Sequence, residues 1–143
     1  MNYLNNEKEA LKLCSIQASI FKSCIDEKLD EKDFIGRYMK SIYAKNMDEG
    51  VYFDNYEDQA IIVSKLKKIS KAKEVTTFTY PLLHFIGYFY RYYCYLYKVA
   101  SIVAWKEIPI EYLCDNYDVL HSLDISKACE TAKNSSIVSR DTK

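Results

Sequence analysis

Apolar residues recur at every third or fourth position along most of the chain, which is the spacing of one face of an α-helix. The first apolar stripe runs from Leu4 to Ile25. A second stripe follows Asp30, which suits a helix N-cap, and ends near Gly50, a residue that readily closes a helix. The first third of the chain is therefore predicted to form two helices joined by a short turn.

The same spacing continues through the rest of the chain. Asp54 is placed to cap a third helix, and Pro81 suits the first turn of a long helix that reaches about Lys98. Shorter helices are expected to begin near Ser101, Pro109 and Asp124. The pattern predicts an all-α fold, a compact single-domain bundle of six or seven helices.

One helical domain over residues 1–133 accounts for this pattern. A chain of 143 residues buries roughly 68–70% of its unfolded surface and needs neither disulfides nor metals to fold. Val75–Thr77 favours extended backbone, but no second strand signal is present to pair with it. Residues 134–143 lack periodicity, so we predict a disordered tail there.

The helix that follows Pro81 is apolar or aromatic on nearly every side, which predicts that it forms the centre of the bundle. Because successive residues of a helix point about 100° apart, rings at nearly every angle cannot all face one core. We therefore expect several of these rings to stay uncovered by their own chain. The aromatic residues concerned are Tyr88, Phe89, Tyr90, Tyr92, Tyr93, Tyr95 and Tyr97.

The sequence of this helix argues against a membrane-spanning role. The stretch Phe78–Tyr97 is long enough to cross a bilayer. However, it contains Arg91, His84 and many tyrosines, and one charge at the centre of a membrane helix costs about 2.5–3.5 kcal/mol. The sequence predicts a buried helix of a soluble bundle and no membrane partner.

Charge and cysteine content narrow the function classes. Twenty basic and twenty acidic residues give a formal net charge of zero, which weakens the case for a dedicated nucleic-acid binder. Only three glycines are present, too few for a phosphate-cradling loop. The N-terminal residues lack a secretory signal, and five irregularly spaced cysteines suit reduced, buried thiols, so we predict a cytoplasmic protein.

No catalytic or metal-binding motif has the required spacing. His84 and His121 are the only histidines, and a metal site built from Cys114, His121 and Cys129 would have to draw on separate elements. A nucleophile at Cys114 activated by His121 stays as a weaker alternative without a supporting turn. We predict no enzyme activity, no metal and no cofactor.

Three segments together resemble a family of small, largely uncharacterised helical proteins from anaerobic bacteria. These segments are Phe34–Glu49, Ile86–Tyr97 and Tyr117–Ala128, and the resemblance covers about residues 19–131. The stretch Tyr117–His121 also resembles the end of a smaller helical family, often encoded beside ADP-ribosyltransferase-like toxins. The resemblance implies an antitoxin or an accessory binder of a toxin–antitoxin cassette, and it brings no catalytic residues.

The expected function is a non-enzymatic protein-binding module. A tyrosine-rich face would cover the partner, because tyrosine offers a large, stiff contact surface with a hydroxyl that can stay wet. The partner-binding residues predicted for this face are Tyr88, Tyr92 and Tyr95, with Arg91 and Lys98 at its rim. The partner would be a toxin or a regulatory protein, and a second copy of the chain stays open.

A DNA-binding regulator of helix-turn-helix type is the alternative function. The two short helices on either side of Pro109 invite this interpretation, and a lysine-rich helix face before them could contact phosphate. The residues predicted to make those contacts are Lys65, Lys67, Lys68 and Lys71. Against it, Glu111, Asp115 and Asp118 on the second short helix would repel phosphates.

Overall fold

The computed structural model of the protein describes the backbone of residues 6–50 and 56–141 and the side chains of residues 6–50 and 58–135. Over these residues the fold is all-α, as predicted, and no strand is present. Nine helices are described, where six or seven were expected. They are α1 (Glu7–Asp26), α2 (Glu31–Met39), α3 (Ile42–Asp48), α4 (Tyr56–Lys67), α5 (Tyr80–Tyr97), α6 (Ser101–Glu107), α7 (Ile110–Asp115), α8 (Tyr117–Leu120) and α9 (Ile125–Asp141).

The higher helix count comes from caps inside stretches that were predicted as single helices. Ser41 leaves the helical conformation, and its hydroxyl accepts a hydrogen bond from the Ala44 backbone N–H at 3.3 Å, so α3 starts anew after α2. Asn116 likewise separates α7 from α8. The predicted cap Asp30 is confirmed, since its carboxylate accepts from the Asp33 N–H at 3.0 Å. The predicted cap Asp54 lies outside the described residues.

Helix α9 extends farther than the sequence pattern indicates. The predicted domain ends at Lys133, whereas the backbone stays helical to Asp141. The Asn-Ser-Ser sequence after Lys133 has low helix propensity, so apolar periodicity and propensity both give little signal there.

Helix α5 contacts α1, α6, α7 and α9, and its longest contact is with α1. The crossing with α1 is close because Gly87 faces Ala18: a Cβ atom on Gly87 would lie 2.7 Å from the Ala18 Cα. The buried side chains of both helices belong to one continuous core. The crossing brings α1 side chains beside the middle of α5, where the polar groups described below meet.

The segment between α4 and α5 is tied to α2 by a buried carboxylate. Glu31, which is 1% exposed, accepts hydrogen bonds from the backbone N–H groups of Thr77 and Phe78 at 2.8 and 2.9 Å. Lys73 Nζ approaches its other oxygen at 3.0 Å. An isolated β-bridge pairs Leu29 with Ala72, three residues before the Val75–Thr77 stretch for which extended backbone was considered.

Among the described helices, none combines the length and the apolar character needed to cross a membrane. Helix α5, the aromatic helix weighed above as a membrane span, has 18 residues. Its central arginine is accommodated by the protein itself.

Candidate functional site

Arg91, in the middle of α5, is 3% exposed and is held by groups from three other helices. Its Nη1 donates to Asp48 of α3 at 2.6 Å, and its Nη2 donates to Ser101 of α6 at 2.7 Å. Both Nε and Nη2 donate to Gln17 Oε1 of α1, at 3.1 and 2.8 Å. The guanidinium therefore uses all three nitrogens inside the fold.

The partners of Arg91 are themselves satisfied. The Ser101 backbone N–H and hydroxyl donate to the two Asp48 oxygens at 2.9 and 2.6 Å. The Gln17 amide donates to the Gly87 carbonyl at 2.8 Å. A buried ion pair with this many hydrogen bonds holds four helices in register, so the prediction of Arg91 at the rim of a partner surface is corrected.

Tyrosines on α5 also turn inward. Tyr90, Tyr92 and Tyr93 are buried at 0%, 4% and 0% exposure. Their hydroxyls donate to the Ile108 carbonyl at 2.6 Å, to Glu7 at 3.1 Å and to Glu107 at 2.8 Å, respectively. These acceptors belong to the first residue of α1, the last residue of α6 and the residue after it. The expectation that several rings stay uncovered therefore does not extend to these three, and the prediction of Tyr92 as a partner-binding residue is corrected to a core residue.

The remaining predicted partner residues do not form one continuous face. Tyr88 and Tyr95 are half-buried and lie two helical turns apart on α5, with the buried Tyr92 between them. Tyr95 packs edge-on against Tyr92, and Lys98 lies over the Tyr95 ring with its Nζ 4.7 Å from the centroid. Only Tyr88 opens onto a sizeable groove.

This aromatic groove lies between the first half of α5, the end of α1, α8 and the start of α9. Its volume is about 610 Å³, within the range of sites that hold small ligands or side-chain anchors. Its walls are mainly ring and apolar side chains with a few polar groups among them. The groove is lined by Lys22, Tyr80, Pro81, His84, Phe85, Tyr88, Tyr117, His121, Leu123 and Ile125.

The rings of the aromatic groove are held in pairs on both of its walls. On α5 the His84 and Tyr88 rings stack with centroids 6.0 Å apart and planes 21° apart. On the facing wall Tyr117 and His121 stack at 4.2 Å and 7°. Phe85 joins the walls by an edge contact to Tyr117 at 5.5 Å. Each pair has the one-turn spacing that lets side chains meet on a helix surface.

The polar groups that line the aromatic groove are three bases and three tyrosine hydroxyls. The half-buried Lys22 enters from α1 and, after burial of the ring, is the second cause that lowers the pKa of His84 below its usual 6.5. His121 Nδ1 lies 2.7 Å from the Tyr117 carbonyl, which can only accept, so Nδ1 carries a proton and leaves Nε2 for another partner. The Tyr80 hydroxyl donates to Asp26 at 2.5 Å.

The lysines predicted to contact nucleic acid are all exposed. Lys65 and Lys67 lie on α4, and Lys68 and Lys71 follow its end. Lys67 pairs with Glu27, the residue that follows α1, at 3.0 Å. On the short helix α7, Glu111 pairs with Lys32 at 3.1 Å.

The residues considered for a metal or a nucleophile lie apart. His121 borders the aromatic groove, whereas Cys129 is buried with its thiol 3.9 Å from the Phe89 carbonyl. In the part of the chain that the structure describes, no group of three His, Cys, Asp or Glu residues could hold a metal ion. Burial raises the pKa of the Cys114 thiol, which opposes formation of a thiolate.

Sequence reasoning missed the aromatic groove although its parts are visible as patterns. His84 with Tyr88, and Tyr117 with His121, each place two rings one turn apart. The meeting of α5 with α8 is a tertiary contact, so only the fold brings these pairs together. Lys22 gave no signal because a single lysine on an amphipathic helix is usually a solvated side chain.

No protein-family model matches the chain, and neither a curated protein nor a solved structure is similar enough to count as a match. The function is therefore argued from the groove itself.

Proposed function

We propose that this protein is a non-enzymatic binding module that holds a segment of a partner protein in the aromatic groove. The observation that carries the proposal is the pair of stacked ring sets, His84 with Tyr88 and Tyr117 with His121, on either side of about 610 Å³ of open space. Rigid, part-exposed rings are the side chains that protein interfaces use as anchors.

The state of the thiols supports a binding role over a catalytic one. Burial raises the pKa of Cys14 to about 12 and that of Cys94 to about 11. It also raises the pKa of Cys24, Cys114 and Cys129. A nucleophilic cysteine needs a lowered pKa and access to substrate.

The antitoxin-like role is proposed as the biological setting of this binding. The partner would then be a toxin whose growth inhibition is relieved when the protein covers part of its surface. Co-expression with the product of the neighbouring gene tests this setting. Growth should be restored by the wild-type protein and not by a groove variant, and equal rescue by both would contradict the proposal.

Two tyrosines on α5 provide a matched test of the groove. Tyr88 and Tyr95 are both half-buried and lie two turns apart, but only Tyr88 lines the aromatic groove. Short peptides selected from a displayed library on the wild-type protein should bind Tyr88→Leu about tenfold more weakly, which equals about 1.4 kcal/mol. Tyr95→Leu should bind them as wild type does.

The opposite result decides the matter as clearly. If Tyr95→Leu loses the peptides and Tyr88→Leu keeps them, the partner surface is the one formed by Tyr95 and Lys98. If no peptide is enriched, or both variants retain every selected peptide, the groove is not a peptide-binding site. Circular dichroism and the urea midpoint of each variant verify that the fold is retained.

The DNA-binding alternative makes a separate prediction. A regulator that uses Lys65, Lys67, Lys68 and Lys71 would bind its own promoter duplex with an affinity that falls steeply as salt rises. Alanine at Lys65 and Lys68 would then reduce the salt slope by about one phosphate contact each. No mobility shift at low salt would remove this alternative.

A further inference from the structure

We infer that the partner segment held in the aromatic groove carries an aromatic side chain flanked by carboxylates. This inference rests on the proposed function and specifies the chemistry of its partner. It follows from the juxtaposition of Lys22 with the rings of His84, Tyr88, Tyr117 and His121.

Lys22 supplies the positive charge of the groove. In the part of the chain that is described, the carboxylates that form ion pairs do so with other bases. Asp26, one turn farther along α1, instead accepts the hydrogen bond from Tyr80. A lysine whose side chain lines an open groove gains most from an anion that the ligand brings.

The rings of the groove favour an aromatic side chain between the two carboxylates of the partner segment. A planar side chain can stack on the Tyr117–His121 pair, or meet it edge-on as Phe85 already meets Tyr117 at 5.5 Å. Leu123 and Ile125 add apolar side chains to the lining of the groove. Tryptophan is the amino acid that best combines ring area with a donor for the free His121 Nε2.

His84 adds a dependence on pH with a defined sign. The titratable groups that line the groove with it are Lys22 from α1, Tyr80 and Tyr88 from α5, Tyr117 from α8 and His121 just after α8. Burial and Lys22 lower its pKa, so the ring is neutral at pH 7.5. A bound carboxylate raises that pKa, and binding therefore takes up protons and tightens as the pH falls.

The test uses three blocked peptides with negative, neutral or positive residues on both sides of tryptophan. They are Gly-Asp-Trp-Asp-Gly, Gly-Asn-Trp-Asn-Gly and Gly-Lys-Trp-Lys-Gly. Binding to the full chain is measured by NMR titration at pH 7.5 and 5.5. The aspartate peptide should bind about two- to fivefold more tightly than the asparagine peptide, the gain of a part-exposed ion pair. It should tighten by a further factor of about two at pH 5.5.

Matched variants assign these effects to residues. At pH 7.5, Lys22→Gln should remove the preference for aspartate and leave the asparagine peptide unaffected. His84→Gln should remove the gain at pH 5.5. If the peptides bind and Tyr88→Leu weakens them, but aspartate and asparagine bind equally, this inference is wrong and the proposed function stands.

Two other results would contradict the proposed function as well as this inference. If all three peptides fail to perturb the groove and the displayed library also yields nothing, the proposed function fails with the inference. If free indole-3-acetate binds as tightly as the aspartate peptide, the groove is a site for a small aromatic acid and not for a protein segment.

Discussion

The polar side chains in the two halves of α5 have different surroundings. In the second half, Arg91 donates through all three guanidinium nitrogens to groups of its own chain, at 2.6 to 3.1 Å. In the first half, His84 and Tyr88 border about 610 Å³ of open space beside Lys22. The comparison teaches that polar groups of one helix can be satisfied inside the fold at one end and line an open groove at the other, where the proposed function places the partner.

The largest expected loss of stability comes from removing the buried charge of Arg91 in the second half of α5. Arg91→Met leaves Asp48 buried without its counter-charge, so the free energy of unfolding should fall by about 3–5 kcal/mol in urea denaturation. A double variant, Arg91→Met with Asp48→Leu, removes both charges and should recover part of that loss. A loss below about 1 kcal/mol for the single variant would mean that the network does not hold the helices together.

The single arginine of α5 is the one sequence feature from which this network could have been predicted. A helix that is apolar or aromatic on all sides is buried, and a charge in its middle is then costly unless it is paired. From the sequence, Arg91 is identifiable as such a charge, but Asp48 and Gln17 are not identifiable as its partners. They lie 43 and 74 positions away and carry no local pattern.

Glu31 is a second buried charged group, and its contribution to stability can be tested through its dependence on pH. Glu31→Gln should lower the free energy of unfolding by about 1.5–3 kcal/mol at pH 7, since charged acceptors of backbone N–H groups are worth that much. Although burial alone would raise it, the hydrogen bonds from Phe78, Thr77 and Lys73 lower the pKa of Glu31 below its usual 4.5. Its stabilising effect is therefore present above pH 4.5 and is lost as the pH falls through the folded pKa.

Urea titrations of both proteins across this pH range check the sign. The difference in stability between wild type and Glu31→Gln should be largest near neutral pH and should narrow below pH 4.5. A difference that stays constant from pH 7 to pH 3 would show that the hydrogen bonds, and not the charge, account for the effect.

The close crossing of α1 and α5 predicts a smaller loss. Gly87→Ala would place a Cβ atom 2.7 Å from the Ala18 Cα, a backbone atom that cannot move aside alone. We expect a net cost of about 1–3 kcal/mol for this overpacking, despite the higher helix propensity of alanine. Gly36→Ala is the matched control, because its Cβ would meet only the Trp105 ring at 3.0 Å, which can shift. An equal or larger cost at Gly36 would contradict the assignment of the close contact to Gly87.

The groove half of α5 yields the smallest effect on stability and the largest on binding. His121 is exposed and stacks on Tyr117, so His121→Ala should change the free energy of unfolding by no more than about 0.5 kcal/mol. The same variant should weaken the selected peptides severalfold, because it removes one of the two ring pairs that line the groove. Thermal unfolding and peptide titration on the same sample separate the two quantities. A variant that unfolds readily while binding as wild type does would reverse the comparison, since His121 would then serve the fold and not the groove.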